Sequence, residues 1–134
     1  MVFHDVTTDA DIYGETTGFD EVLALRLKRG GSTAALVIGM DARDVIIQSR
    51  THVLRVPRDT IRHLSVHPVL PAKSSGMVVL VLGTEAGGQR QARTLAMTSS
   101  GYRKSDLEDM VERARRLASL LDVPFSVEKD SYDC

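Results

Sequence analysis

The stretch SDLEDMVERARRLASLL, residues 105–121, determines the fold, because its pattern is that of an amphipathic helix. Its apolar residues recur at steps of three and four and therefore share one face. They are Leu107, Met110, Val111, Ala114, Leu117, Ala118 and Leu121. A helix with one apolar face is stable only when that face is buried, so the rest of the chain must provide a surface for it.

The flanking residues predict where this helix begins and ends. Ser105 and Glu108 have the spacing of a capping box, so we expect the helix to begin at Ser105. Pro124 has no backbone N–H and cannot continue the helix. On the exposed face we expect acid–base pairs at i,i+4, namely Asp109 with Arg113 and Glu112 with Arg116.

The composition is that of one globular domain. The chain has 134 residues, 43% of them hydrophobic, with only 4% aromatic residues and no Trp. The core is therefore expected to be aliphatic. The start of the chain is acidic rather than apolar, and no apolar run reaches membrane-spanning length. Together with a single cysteine, Cys134, these features favour a cytoplasmic protein.

Charge is distributed unevenly along the chain. Residues 1–21 contain six acids and no Lys or Arg, whereas residues 22–103 contain twelve Lys or Arg against four acids. Residues 104–134 are mildly acidic, which leaves a net charge of −1 for the whole chain. This asymmetry predicts an acidic N-terminal arm ahead of a basic body that favours an anionic partner. One hypothesis is that the arm folds back on the body and competes with that partner; the alternative is a solubilising tail.

Most of the body has the patterns of β-strands. Residues 23–28 alternate as a strand does, although a helix over FDEVLALRLKRGG that ends at Gly30 also fits. Further strands are predicted at 32–40, 44–50, 52–56, 61–66, 77–82 and 90–97, with a corner at 58–60 after Pro57. The two prolines of 67–76 predict a loop, TEAGGQ predicts a hairpin turn, and VPFSVE predicts a short edge strand after the helix.

These elements predict a mainly β (α+β) domain. Strands at hairpin spacing without intervening helices indicate an antiparallel meander of six to seven strands, closed by one C-terminal helix at about 105–121. So many strands favour a curved sheet or a barrel. We divide the chain into the acidic arm at 1–21, the strands and helix at 22–127, and a frayed tail at 128–134.

This order of elements resembles the bacterial pleckstrin-homology (PH) type of barrel. The passage DVIIQSRTHVLRVPRDTIRHLSV resembles the family's strand, hydrophobic-Pro step, corner and next strand, with Val56-Pro57 and Ile61 in those places. The end, DLEDMVERARRLASLL, resembles the family's capping helix. The resemblance covers about residues 22–121, and it implies a PH-like barrel that binds lipid, peptide or protein without catalysis.

The cations of the body are the candidate anion- or partner-binding residues: Lys28, Arg29, Arg50, Arg55, Arg58 and Arg62. Lys28 and Arg29 precede the Gly30-Gly31 turn, where the resemblance implies the cations of a headgroup site. The alternative is that all six lie on solvated outer faces of the sheet. Nucleic acid is disfavoured, because the isoelectric point is near 6.4 and no aromatic residues interleave with the Arg residues.

No catalytic, metal or cofactor site is indicated by the sequence. His63 and His67 share a strand face but lie about 13 Å apart, far beyond shared metal coordination. The loop serines have no nucleophile motif around them. The function favoured is therefore a binding or adaptor module that receives a protein or peptide, or a second copy of itself, at a sheet edge or a groove beside the helix. The alternatives are a domain that binds an anionic membrane surface and, third, an enzyme with a pocket at the barrel mouth.

Overall fold

The computed structural model describes residues 3–7, 36–49, 53–72, 75–98 and 101–132. These residues form nine β-strands, one 3-10 turn and one α-helix. The elements are β1 Phe3–Thr7, β2 Leu36–Met40, β3 Asp44–Ser49, β4 Val53–Pro57, η1 Arg58–Thr60, β5 Ile61–Leu70, β6 Met77–Ala86, β7 Gln89–Met97, α1 Lys104–Leu121, β8 Phe125–Val127 and β9 Ser131–Tyr132. The prediction of a mainly β domain with one C-terminal helix is confirmed for these residues.

The strands form two sheets. Sheet A has the order β1-β2-β3-β4 and is antiparallel throughout. Sheet B has the order β7-β6-β5-β8, and β9 also pairs with β5. The chain passes from one sheet to the other at η1, the corner that Pro57 predicts. The described residues thus form two sheets and no closed barrel.

Helix α1 begins one residue before the predicted start and ends at the predicted residue. The capping-box prediction was wrong, because the N-cap is Arg103 rather than Ser105 and its side chain makes no capping hydrogen bond. The helix ends when Asp122 adopts a left-handed conformation (φ 56°), two residues before Pro124. The predicted pair of Glu112 with Arg116 is present, with Arg116 Nε donating to the carboxylate at 3.1 Å.

The apolar stripe of α1 is buried between the two sheets. Met110, Ala114, Leu117, Ala118 and Leu121 belong to one core cluster with residues of both sheets, and Leu107 and Val111 pack against it. From sheet A the core takes Val45, Ile47 and Val56; from sheet B it takes Ile61, Leu64, Val66, Val78, Leu80, Leu82, Leu95 and Ala96. The helix lies beside β1 as well as β5, β6 and β8, so its burial holds the two sheets together.

Strand β5 runs through Pro68, where the sequence predicts a loop. The backbone of Leu64 and Val66 bonds to the β8 side of the sheet, to Pro124 and Glu128. The two-residue period of a strand places the backbone nitrogen of Pro68 on that same side. There β8 has ended at Val127 and β9 has not begun, so the missing N–H of Pro68 removes no ladder bond.

Both ends of the chain contain strands that the sequence reasoning assigned to loops. Phe3–Thr7, within the predicted acidic arm, pair antiparallel with β2. Ser131–Tyr132, within the predicted frayed tail, pair parallel with β5. The predicted edge strand after α1 is present as β8, and it too is parallel to β5. These pairings raise the strand number above six to seven and make sheet B mixed.

The described part of the chain contains no helix that is both long and apolar enough to cross a membrane.

Candidate functional site

An open cleft of about 720 Å³ lies at the C-terminal end of α1, and we call it the helix-end cleft. The turn between β2 and β3 with the adjoining ends of β3 and β4, η1 with the start of β5, and the residues that end the helix form its walls. Its lining residues are Ala42, Arg43, Asp44, Pro57, Arg58, Asp59, Ile61, Arg62, Leu121, Asp122 and Val123.

The turn before β3 builds one wall of the cleft. The Asp41 carboxylate accepts hydrogen bonds from the backbone N–H of Asp44 at 2.7 Å and of Arg43 at 2.8 Å. These two bonds, the one from Asp44 first, lower the pKa of Asp41. Arg58 ties η1 to the same turn, because its N–H donates to the Arg43 carbonyl at 2.8 Å and its Nη1 to the Asp41 carbonyl at 3.2 Å.

Arg62 lies between the helix-end cleft and a second, smaller pocket. Its Nη1 donates to the Asp59 carbonyl at 2.7 Å, and its Nε lies 4.0 Å from the Glu85 carboxylate. The same Glu85 oxygen lies 3.5 Å from Arg90 Nε. The second pocket has a volume of about 300 Å³, and we call it the β6–β7 pocket. Its lining residues are Arg62, His63, Gly83, Thr84, Glu85, Arg90 and Gln91.

The helix-end cleft combines an apolar base with a rim of balanced charge. Ile61 and Leu121 are buried core residues, and Val123 is half-buried against them. Among the lining residues, the three arginines Arg43, Arg58 and Arg62 are matched by three aspartates, Asp44, Asp59 and Asp122. An apolar centre with a polar rim is the usual anatomy of a protein–protein interface.

The structure brings together two of the six predicted site residues. Arg58 and Arg62 line the helix-end cleft, and Arg55 reaches its wall through an ion pair with Asp44, Nη1 to Oδ2 at 3.4 Å. Lys28, Arg29 and Arg50 lie outside the described residues, so their prediction stays untested.

Sequence reasoning missed Arg43. It lies between the strands predicted at 32–40 and 44–50, in a turn for which the sequence indicates no binding role. The signal that would have found it is the β3–β4 register, which sets Asp44 opposite Pro57 and so places the turn beside η1.

The two histidines of β5 lie in separate surroundings. The His63 ring covers Gly83, the residue opposite it on β6, and His67 Nε2 lies 2.8 Å from Ser65 Oγ. Among the described residues, no three His, Cys, Asp or Glu side chains are grouped so that they could hold a metal ion.

Comparison with known proteins gives no relative: no family model, no curated protein and no solved structure matches this chain.

Proposed function

We propose that this chain is a non-catalytic binding module that receives a protein or peptide partner in the helix-end cleft. The observation that carries the proposal is the convergence of Arg58 and Arg62, with Arg43, around the apolar base formed by Ile61 and Leu121. A peptide side chain on that base would bury apolar surface, and the rim would then orient the peptide by charge. This is the groove beside the helix that the sequence reasoning favours.

The PH-like fold is part of this proposal. Within residues 36–121, antiparallel strands, the η1 corner, a further antiparallel meander and a C-terminal helix follow one another, and this order supports the resemblance. The helix packs against residues of both sheets, as a capping helix does. A PH-like barrel is a scaffold for ligand binding rather than for catalysis, which agrees with the character of the cleft.

The charge balance of the cleft favours a peptide over a simple anion. A phosphate headgroup site needs cations that converge without neighbouring carboxylates. Here each arginine of the lining has an aspartate counterpart, and the guanidiniums of Arg58 and Arg62 already donate to backbone carbonyls. A peptide with an apolar anchor and side chains of both signs matches this lining better.

The test is selection of peptides from a random display library on the immobilised chain, followed by affinity measurement for each selected peptide. Arg58→Glu should weaken at least one selected peptide by about tenfold, because it replaces one rim attraction with a repulsion. Lys129→Glu is the matched control, since it makes the same charge change at an exposed residue outside the cleft lining. If Arg58→Glu leaves every affinity unchanged while the fold is intact, the helix-end cleft is not the binding site.

The alternative is a domain that binds anionic membranes, and the twelve cations of residues 22–103 favour it. Sedimentation with phosphatidylserine-containing vesicles separates the two functions. Loss of vesicle binding in the Lys28→Glu/Arg29→Glu protein would support the membrane alternative, and retention of binding would remove the predicted headgroup site. A second copy of the chain is another possible occupant of the cleft; sedimentation velocity over a range of concentrations detects it as a monomer–dimer equilibrium that Arg58→Glu shifts toward monomer.

A further inference from the structure

Among the described strands, the β6–β7 hairpin leaves one edge of β7 without a partner. Gly87 and Gly88 form a two-residue turn, both with positive φ (59° and 78°), and Ala86 pairs with Gln89 across it. The residues that flank a two-residue hairpin turn exchange both backbone hydrogen bonds, and bonded and non-bonded pairs then alternate along the strands.

The alternation assigns a direction to each backbone group of β7. Gln89, Gln91 and Arg93 face β6, opposite Ala86, Thr84 and Leu82. The N–H and C=O groups of Arg90 and Ala92 therefore face away from β6. Within the residues that the structure describes, β7 pairs with β6 alone, so nothing described there bonds to this outer edge.

The open edge has a definite length. The β6–β7 register shifts where Leu80 pairs with Ala96 but Val81 pairs with Thr94, so Leu95 is an extra residue in β7. A bulge of this kind interrupts the regular ladder, which here resumes at Ala96. Leu95 is fully buried, whereas Gln89, Arg90, Gln91, Ala92 and Arg93 are all exposed.

The side chains along this edge are cationic. β7 contains no acid, and its two charged residues, Arg90 and Arg93, lie on opposite faces of the sheet. The Arg90 side chain is 88% exposed. Arg62 and His63 lie on the same face of sheet B, and Glu85 is the acidic residue of the β6–β7 pocket there. A strand added here would have an arginine beside it on each face.

We propose that the outer edge of β7 accepts an extended acidic peptide as an additional strand of sheet B. The backbone groups of Arg90 and Ala92 supply the main-chain hydrogen bonds, and Arg90 and Arg93 select carboxylate side chains. The inference goes beyond the proposed function, because it adds a second surface, apart from the helix-end cleft, and gives that surface an acidic partner. A second copy of β7 is a poor occupant, because two such edges would bring four arginines together along a short strand pair.

The experiment measures fluorescence anisotropy of a labelled peptide of alternating Glu and Val on the full chain at low salt. A peptide of alternating Lys and Val is the charge control. Ala92→Pro removes the one outward N–H of Ala92 without removing a bond to β6, so the sheet should persist while peptide affinity falls about tenfold or more. Ala92→Ser keeps that N–H and should bind within about twofold of the unmodified chain.

A charge-reversal variant is the second test of this inference. Arg90→Glu/Arg93→Glu should weaken the Glu-Val peptide by about tenfold and admit the Lys-Val peptide, because opposite-charge cross-strand pairs become like-charge pairs. In the unmodified chain, hydrogen exchange provides a readout that needs no variant. The amides of Arg90 and Ala92 should gain protection when the Glu-Val peptide is added, whereas those of Gln91 and Arg93 are protected with or without it.

Two results would overturn the inference, because each would show adsorption by charge alone. One is equal peptide affinity of the Ala92→Pro and Ala92→Ser variants, and the other is unchanged hydrogen exchange at Arg90 and Ala92 when the peptide is added. The experiments distinguish failure of the cleft proposal from failure of the edge proposal. If the Glu-Val peptide does not bind but Arg58→Glu still releases the display-selected peptides, the edge inference fails while the cleft stands. The reverse pattern removes the cleft and leaves the edge.

Discussion

Truncation of Leu117 to alanine tests whether α1 holds the two sheets together. Leu117 is only 4% exposed, and it belongs to the core cluster that also contains Val45 and Ile47 of sheet A and residues of sheet B. The substitution keeps a good helix former, so the helix itself should persist. What changes is the packing between the helix and the sheets.

The expected loss follows from the burial of this side chain. Leucine to alanine removes three carbons from the core, worth about 2.5 kcal/mol at about 0.8 kcal/mol for each buried group. A partly collapsed cavity adds to this, so the free energy of unfolding should fall by about 3–4 kcal/mol. That is a large fraction of the roughly 5–15 kcal/mol typical of a domain.

Urea denaturation followed by circular dichroism measures the effect. With a slope of about 1.5–2 kcal/mol per molar urea, the midpoint should fall by about 2 M. Leu120→Ala is the matched control, since Leu120 is the same residue type on the same helix but only half-buried; it should cost no more than about half as much. A midpoint for Leu117→Ala within about 0.3 M of the unmodified chain, or equal losses for the two variants, would refute the packing of α1 described above.

Three further substitutions test local geometry. Gly83→Ala should destabilise the chain by about 1 kcal/mol, because the added Cβ meets the His63 ring. In the His63→Ala background the same substitution should be neutral or stabilising, since glycine is unfavourable within a strand. A double-mutant cycle by urea denaturation measures both effects, and equal effects in the two backgrounds would contradict the prediction. Gly76→Ala should cost more than about 2 kcal/mol, because Gly76 has φ +71° and the added Cβ meets the Val69 carbonyl, which is backbone and cannot swing away; a thermal midpoint equal to that of the unmodified chain would argue against it. The lowered pKa of Asp41 contributes stability that is present above the ordinary aspartate pKa of about 3.9 and is lost as the pH falls through the lowered value. Asp41→Asn should therefore reduce the fall in the free energy of unfolding at acidic pH. An unchanged fall would contradict the turn geometry.

The elements that could be predicted from the sequence are those whose local pattern agrees with their tertiary environment. The stripe from Leu107 to Leu121 has a helical period and is buried as a helix. The Pro57 corner and the Gly87-Gly88 turn have unambiguous backbone chemistry, and both are where that chemistry predicts.

The misses arise where a distant partner overrides the local signal. Pro68 indicates a loop on its own, and it is tolerated in a strand only because neighbouring strands leave a gap beside it. The strands at Phe3–Thr7 and Ser131–Tyr132 are short and polar, and they are strands because β2 and β5 offer them an edge.

The candidate site was predicted in part for the same reason. Arg58 and Arg62 lie close together in the chain, so their grouping with η1 is local. Arg43 joins them through the β3–β4 register, and the open edge of β7 depends on which backbone groups β6 uses. Neither feature has a signal in residue type alone.

The parallel pairing of β5 with β8 also has a consequence for biosynthesis. Leu64 and its partner Phe125 are separated by about sixty residues of chain, and no nearer described segment covers that side of β5. When β5 and β6 have just been synthesised, the nascent chain therefore exposes this edge of β5 until the segment beyond the helix emerges from the ribosome. Such edges promote association between nascent chains, so the interval between translation of β5 and of β8 is when this edge is open to such association.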